Sequence, residues 1–479
     1  MPGSAAAMPC GTSSAMTKHL RPTARRCRTS PPSGMHGLAE VTSWPISSAN
    51  DDALAAYDKA VSIKPDLEGA WLGRGNVCCD LKRYDAAFAA YDKALSIRPD
   101  LAEAWLGRGN VLTELKRYDD ASAAYERALS IKPDLAEAWL GRGNVAWALK
   151  CYEDALAAFD KALSIQPDLE GAWIGRGNVF TDLRRFDEAL AAYDKAVSIK
   201  PDHEGIEGLR LYAKMNLCNW DDLDEEIGHL TGAIRAGKAN SSPFALLSLT
   251  DSPDDHLRCA RAWVAAKLPH ISKPSSRAET SSHDKIRVGY VSPDLREHPV
   301  GYMTAGIFES HDTHRFETYA FSIGPGDDSD LRKRLEGSFH RFLDCQHKTD
   351  SDILQAINDA QIDILVDLAG HTQNARLSLF ASGPAPIVVN YLGFAGTLGS
   401  KDLSHYIIAD RVVVPESNDR FFEEKVVRCP AVSCRAMSGG RPSTRSPATG
   451  PITVCGRNGR CFVASTMPTR SIHPSSEAG

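Results

Sequence analysis

The sequence predicts an α-solenoid over residues 51–202, followed by a parallel α/β region over residues 285–428. Three observations carry that expectation. Proline recurs at Pro65, Pro99, Pro133, Pro167 and Pro201, always at the same interval. Larger and smaller slots return in the same register: Trp71, Trp105, Trp139 and Trp173, then Gly75, Gly109, Gly143 and Gly177, then Tyr91, Tyr125, Phe159 and Tyr193. Beyond Lys285 the period ends, and short apolar runs alternate with stretches of helical length, as in buried parallel strands joined by crossover helices.

Taken in order, residues 1–50 carry none of this periodicity and are expected to be disordered. Residues 51–202 hold four full repeats behind one preceding helix. A single helical hairpin cannot bury its own apolar stripe, so neighbours stack and complete the core as a curved superhelix. With a period of about 34 residues, small Ala87 and Ala121 where the helices cross and a proline closing each second helix, the pattern resembles the tetratricopeptide repeat. Proline disfavours α geometry in the residue before it, and the Asp that follows is expected to help start the next hairpin. Asn76, Asn110, Asn144 and Asn178 occupy one first-helix position, so stacking should set their amides in a row. An amide both donates and accepts, which suits extended peptide backbone of any sequence. The alternative is that these asparagines bridge or cap neighbouring hairpins.

Residues 203–284 read as irregular helices ending in a hinge rich in Ser and Lys from Ile271 to Asp284. The α/β region then offers strands at Ile286–Ser292, Phe316–Ser322, 362–368 and 387–392, with helices at 301–311 and 351–360. Open parallel sheets bind ligands beyond their strand C-termini. His298, Gly370-His371-Thr372 and Gly393-Phe394-Ala395-Gly396-Thr397 all follow strands.

Several motifs behind the repeats carry a family likeness. Arg287-Val288-Gly289-Tyr290-Val291-Ser292-Pro293-Asp294, Arg296-Glu297-His298-Pro299-Val300-Gly301, Asp367-Leu368-Ala369-Gly370-His371-Thr372 and Pro384-Ala385-Pro386-Ile387 resemble the protein O-linked N-acetylglucosamine transferases. The likeness runs from about residue 51 to 428. It implies a GT-B glycosyltransferase with two facing Rossmann-like halves, of which residues 285–428 are the first. It also implies UDP-N-acetylglucosamine as donor, Ser or Thr hydroxyls of proteins as acceptors, and neither metal nor cofactor. On that likeness His298 is the histidine beside the reacting centre, as general base or as a positioning group. Gly393 lies in a sugar-side loop where a missing side chain permits close approach, with His371 as a less constant member. For these the plainer alternatives are a loop histidine, a turn glycine and a surface histidine.

After Arg428 the periodicity disappears, and residues 429–479, rich in Ser, Arg, Pro, Thr and Gly, read as a disordered tail. The second Rossmann half is missing from the sequence, so no transferase activity is expected of this polypeptide. Starting each codon one nucleotide earlier, Cys461 to Gly479 allows Phe-Cys-Cys-Phe-Asn-Asn-Ala-Tyr-Lys-Ile-His-Pro, similar to the family's next motif. The same shift over Ala15 to Arg28 allows Tyr-Asp-Glu-Ala-Phe-Ala-Ala-Tyr, one residue, then Lys-Ala-Leu-Ser, close to Tyr84 to Ser96. Both tails are therefore read as out of frame, with breaks near Asn50 and Pro430.

Composition narrows the partners. A net charge of -6 gives no basic field for nucleic acid, and no long apolar run points to a membrane. The 12 cysteines lack the paired spacing of zinc sites, which fits a reduced cytoplasmic setting. Protein or peptide acceptors on the concave repeat face are the expected partners, and the repeats also offer a surface through which two copies could pair. The alternative to an enzyme is a tetratricopeptide scaffold that recruits partners without catalysis.

Overall fold

The computed structural model describes residues 46–268 and 284–429, with two further strands at 452–455 and 461–464. The solenoid opens with α1 (Ile46–Ile63) and continues as four hairpins: α2 and α3 (Glu68–Asp80, Tyr84–Ile97), α4 and α5 (Ala102–Glu114, Tyr118–Ile131), α6 and α7 (Ala136–Ala148, Tyr152–Ile165), and α8 and α9 (Glu170–Asp182, Phe186–Ile199). Most of the two tails expected to be disordered lies outside the described residues. Within them, however, α1 reaches back to Ile46, and a two-stranded antiparallel ladder forms near the C-terminus.

The hairpins stack through one repeated contact. Each first helix carries two glycines that meet aromatic rings. The first faces the ring of the preceding second helix, and the second faces the ring of its own hairpin. Thus Tyr91 lies between Gly75 and Gly107, Tyr125 between Gly109 and Gly141, and Phe159 between Gly143 and Gly175. A Cβ at any of these glycines would fall less than 3.0 Å from ring carbons. The rings are 0–2% exposed. Glycine inside a helix costs about 1 kcal/mol relative to alanine, but burying an aromatic side chain contributes about 2–3 kcal/mol. The clamp is net stabilising.

Polar contacts repeat in the same register. Each repeat tryptophan donates its Nε1–H to the proline carbonyl six residues earlier, at 2.9–3.0 Å. The expected Asp cap does not form: the residues that precede the first helices are Leu67, Leu101, Leu135 and Leu169, none of which makes a side-chain cap bond. Arg74, Arg108, Arg176 and Arg210 pair with Asp58, Asp92, Asp160 and Asp194 of the preceding second helix. Such half-exposed pairs contribute little individually, but all of them favour one register. Between the helices of each hairpin, Lys82, Lys116, Lys150 and Arg184 adopt positive φ where glycine is the usual residue.

Residues 203–268, expected as an irregular connector, form α10 (Ile206–Asn216), α11 (Leu223–Arg235), α12 (Pro243–Leu246) and α13 (Pro253–Lys267). They enclose a small core of their own that includes Leu211, Leu230 and Leu246. Most of the expected hinge lies outside the described residues.

The α/β region is a seven-stranded parallel sheet. Its elements are β1 (Ile286–Ser292), α14 (Pro299–Glu309), β2 (Phe316–Ser322), α15 (Asp330–Gly337), β3 (Arg341–Asp344), α16 (Asp350–Asp359), β4 (Ile364–Asp367), β5 (Ile387–Tyr391), β6 (Tyr406–Ala409) and β7 (Lys425–Arg428). Their order in the sheet is β3-β2-β1-β4-β5-β6-β7. One apolar core lies on each face. Strand order reverses between β1 and β4, which pair in parallel, and such a reversal opens a crevice at the strand C-termini. Among the described residues no helix is long and apolar enough to cross a membrane.

Gly109→Ala drives a methyl group into the Tyr125 ring and should cost about 1–3 kcal/mol. Gly232→Ala, in α11 where an added Cβ meets nothing within 4 Å, should stabilise by up to about 1 kcal/mol. Thermal unfolding of the two variants measures both, and a Gly109→Ala protein as stable as the parent would refute the clamp.

Candidate functional site

The crevice at the switch point opens into a cleft of about 1610 Å³ that is walled by both the sheet and the solenoid. His298, His371 and Gly393 line it from the sheet, and Asn178 lines it from the solenoid. The other three ladder asparagines lie outside it.

His298 follows β1 and stands at the N-cap of α14, with Pro299 at the first helical position. Its Nδ1 accepts the Val300 N–H at 3.3 Å, and the Asp294 carboxylate lies 3.8 Å from the same nitrogen. A neutral ring in that position carries its proton on Nε2. Burial disfavours charge on both partners, holding His298 down and Asp294 up, although each opposes the shift in the other.

Beyond β4, buried Asp367 accepts the N–H groups of Ala369 and Gly370 at 2.8 and 3.1 Å, fixing a tight turn in which Gly370 takes φ +59. Burial pushes this carboxyl up to about 6 against the pull of those two donors. The turn delivers His371, which is 8% exposed rather than a surface residue. Its Nε2 must donate to the Leu398 carbonyl at 3.1 Å, so the neutral ring keeps a lone pair on Nδ1, which has no partner among the described residues. Burial drops the His371 pKa to about 4.

Gly393 begins the loop after β5. A Cβ there would collide with the Leu368 carbonyl, so the missing side chain is required by the crossing of two loops, and Gly393 also lines the cleft. The far end of this loop is pinned by buried Glu424, which accepts from Thr397 Oγ1 at 2.7 Å and from Leu398 N at 2.6 Å.

The ladder asparagines face the clamped rings. Tyr91, Tyr125 and Tyr193 donate to the Oδ1 of Asn76, Asn110 and Asn178 at 2.8–2.9 Å. Asn144 stands opposite Phe159, which has no hydroxyl to give. Asn76 and Asn110 are exposed and the other two half-buried, so the carbonyl end braces the hairpin while the amide donors are left over.

Sequence reasoning missed the residues that tie the two walls together. Asp182 accepts from Trp147 Nε1 at 3.0 Å, Lys150 at 3.1 Å, Tyr152 at 3.5 Å and, across the cleft, Gln373 at 3.4 Å. Arg376 is 6% exposed and held by Asp350 and the Lys348 carbonyl. It lies close enough to oppose charge on Lys116, whose ammonium is already disfavoured by burial. One signal pointed here. Ala148 stands where the other repeats carry Asp80, Glu114 and Asp182, and Trp147 stands beside it.

Residues 261–432 match a model described as glycosyl transferase family 41. Residues 66–134, 106–170 and 171–203 match tetratricopeptide repeat models. A probable UDP-N-acetylglucosamine–peptide N-acetylglucosaminyltransferase of Arabidopsis thaliana, named SEC, is 28% identical over 236 residues, covering 46% of this chain and 24% of that protein. The UDP-N-acetylglucosamine–peptide N-acetylglucosaminyltransferase of Caenorhabditis elegans is 26% identical over 229 residues, covering 45% and 20%. A solved Thermobaculum terrenum O-GlcNAc transferase mutant aligns with a TM-score of 0.46 at 24% identity, over 69% of this chain and 58% of that one. The matches span about a quarter or less of the length of these curated relatives.

Two outcomes test the site's geometry. Because His371 binds its proton less readily folded than unfolded, it should remove roughly 3 kcal/mol as pH falls from 6.5 towards 4. Asp367, raised to about 6, acts in the opposite direction in an overlapping window. The stability difference between the parent and His371→Gln should therefore grow with pH across that interval, and a pH-independent difference would contradict a buried neutral ring. Asp182→Ala strands several donors and should cost about 2–3 kcal/mol in urea unfolding, whereas a loss below about 0.5 kcal/mol would show that the junction does not depend on it.

Proposed function

We infer that this chain, which belongs to the O-linked N-acetylglucosamine transferase family through its repeat array and its family 41 segment together, is the acceptor-holding side of a peptide N-acetylglucosaminyltransferase. The observation that carries the reading is the shared cleft. A superhelix suited to extended chains and the C-terminal edge of a parallel sheet wall one cavity, so a peptide lying along the repeats is led to the switch point.

In this reading the donor is UDP-N-acetylglucosamine and the acceptor is a Ser or Thr hydroxyl of a cytoplasmic protein, with no metal required. The reaction breaks the bond between the sugar carbon and the diphosphate oxygen, joins that carbon to the acceptor oxygen, and releases UDP together with the acceptor's proton. With Nδ1 engaged by Val300, His298 offers an Nε2–H donor to the cleft and serves to position a reacting oxygen or offset its charge. His371, whose Nδ1 lone pair is buried, braces the turn at the cleft wall, and Gly393 shapes the loop beside it. The leftover amide donors of Asn76, Asn110, Asn144 and Asn178 hold the peptide backbone.

A second reading, favoured by a repeat array that can hold extended chains by itself, is a tetratricopeptide scaffold that recruits partners without catalysis.

Extended Ser- and Thr-containing peptides should bind this chain, and radiolabelled UDP-N-acetylglucosamine separates the two readings: label on the peptide supports the transferase, and bound but unlabelled peptide supports the scaffold. Asn144→Ala removes a ladder amide without breaking a tyrosine hydrogen bond, and replacing all four asparagines by Ala should weaken peptide binding by about tenfold or more, about 1.4 kcal/mol. Undiminished affinity in the fourfold variant would eliminate the ladder.

A further inference from the structure

We infer that one face of α1 is a docking surface for a particular helix, one that the gene itself encodes a single nucleotide out of frame across residues 36–49. Burial gives the first sign. In α3 the residues Ala87, Ala90, Tyr91, Ala94 and Leu95 are all buried. Their equivalents one repeat earlier in α1, Ala53, Ala56, Tyr57, Ala60 and Val61, are all half-buried or exposed. The Tyr57 ring meets Gly73 in the way that Tyr91 meets Gly107. The second glycine of its clamp would fall at position 41, one repeat before Gly75, and that position is Val41.

Helix length gives the second sign. The helices α3, α5, α7 and α9 each have 14 residues and α1 has 18. All five end in register. The surplus therefore lies at the start, over Ile46–Ala49, where the other hairpins place a left-handed residue at Lys82, Lys116, Lys150 and Arg184. The equivalent position here is Ser48, inside the helix.

The codons identify the occupant. When each codon starts one nucleotide earlier, the last base of Met35 and the first two of His36 give GCA, which encodes alanine and nothing else. The last base of Trp44 and the first two of Pro45 give GCC, again only alanine. The positions between and after them allow a continuous reading from 36 to 49: Ala-Trp-Leu-Gly-Arg-Gly-Asn-Val-Leu-Ala-Asp-Leu-Lys-Arg. It agrees with Ala104 to Arg117 except where Thr113 and Glu114 are replaced by alanine and aspartate. Its tryptophan falls at 37, its glycines at 39 and 41, and its asparagine at 42, each one full repeat before Trp71, Gly73, Gly75 and Asn76. No gap is needed, which places the frame break between codons 49 and 50. The shifted helix brings its second glycine to the open face of Tyr57 and adds a fifth amide to the ladder.

A labelled synthetic peptide of this sequence, titrated into the purified chain, should bind saturably and raise the melting temperature. Changing its second glycine to leucine should weaken binding by about tenfold or more, about 1.4 kcal/mol. Equal binding of both peptides would overturn the proposal. Because a short free helix pays a nucleation cost, the deciding measurement is hydrogen exchange on a chain expressed with the frame restored across codons 36–50. The amides from Ala53 to Val61 should exchange more slowly than in the present chain, and a leucine at the second-glycine position should abolish that protection. Equal exchange in the restored and present chains would overturn the docking surface whatever the peptide does.

Discussion

The solenoid depends on the glycine–ring–glycine clamp. A ring fits between two consecutive first helices only because each presents a bare backbone there, which fixes both the distance between hairpins and their register. The tryptophan-to-proline hydrogen bonds and the Arg–Asp pairs follow from that spacing. The ladder depends on it as well, since the hydroxyl of the clamped tyrosine is what holds the asparagine carbonyl. The clamp is also what makes an incomplete hairpin recognisable at α1.

Where the repeats depart from their own pattern, the sheet docks. Ala148 removes a carboxylate and Trp147 adds an indole, and around that spot Asp182 reaches Gln373 while Lys116 lies beside Arg376 and Asp350. Farther along, α13 contributes Val264 to the sheet core, and Gly399 lies so close to the α13 backbone at Ala260 that a Cβ would not fit. Lys82 donates to the Lys267 carbonyl at 2.8 Å, and Arg261 pairs with Glu423. Solenoid, helical segment and sheet thus share contacts around one cleft.

Much of this was legible in the residues. The repeat period placed every repeat helix, and β1 and β2 match their expected limits because each is a buried run with sharp polar flanks. The strands β3, β6 and β7 escaped notice because each has only four residues: β3 and β7 carry a charge at both ends, and the apolar run of β6 is too short to show a period. The expected Asp caps failed for a local reason: a leucine, one residue after each Asp, holds the N-cap position. His371 stood out by its place after a strand, but its tautomer depends on Leu398, a residue of another loop 27 positions away. Asp182 and Gln373 are 191 residues apart, and only the break in the repeat at Ala148 hinted at their meeting.

The central claim is that the solenoid and the sheet are one body enclosing one cleft. Small-angle X-ray scattering of the purified chain tests this most directly. The profile should be fitted by a single fixed arrangement of residues 49–429, unchanged by moderate salt because packing as well as charge holds the junction. A profile that demands two bodies at variable separation would contradict it, because the cleft would then have no fixed second wall.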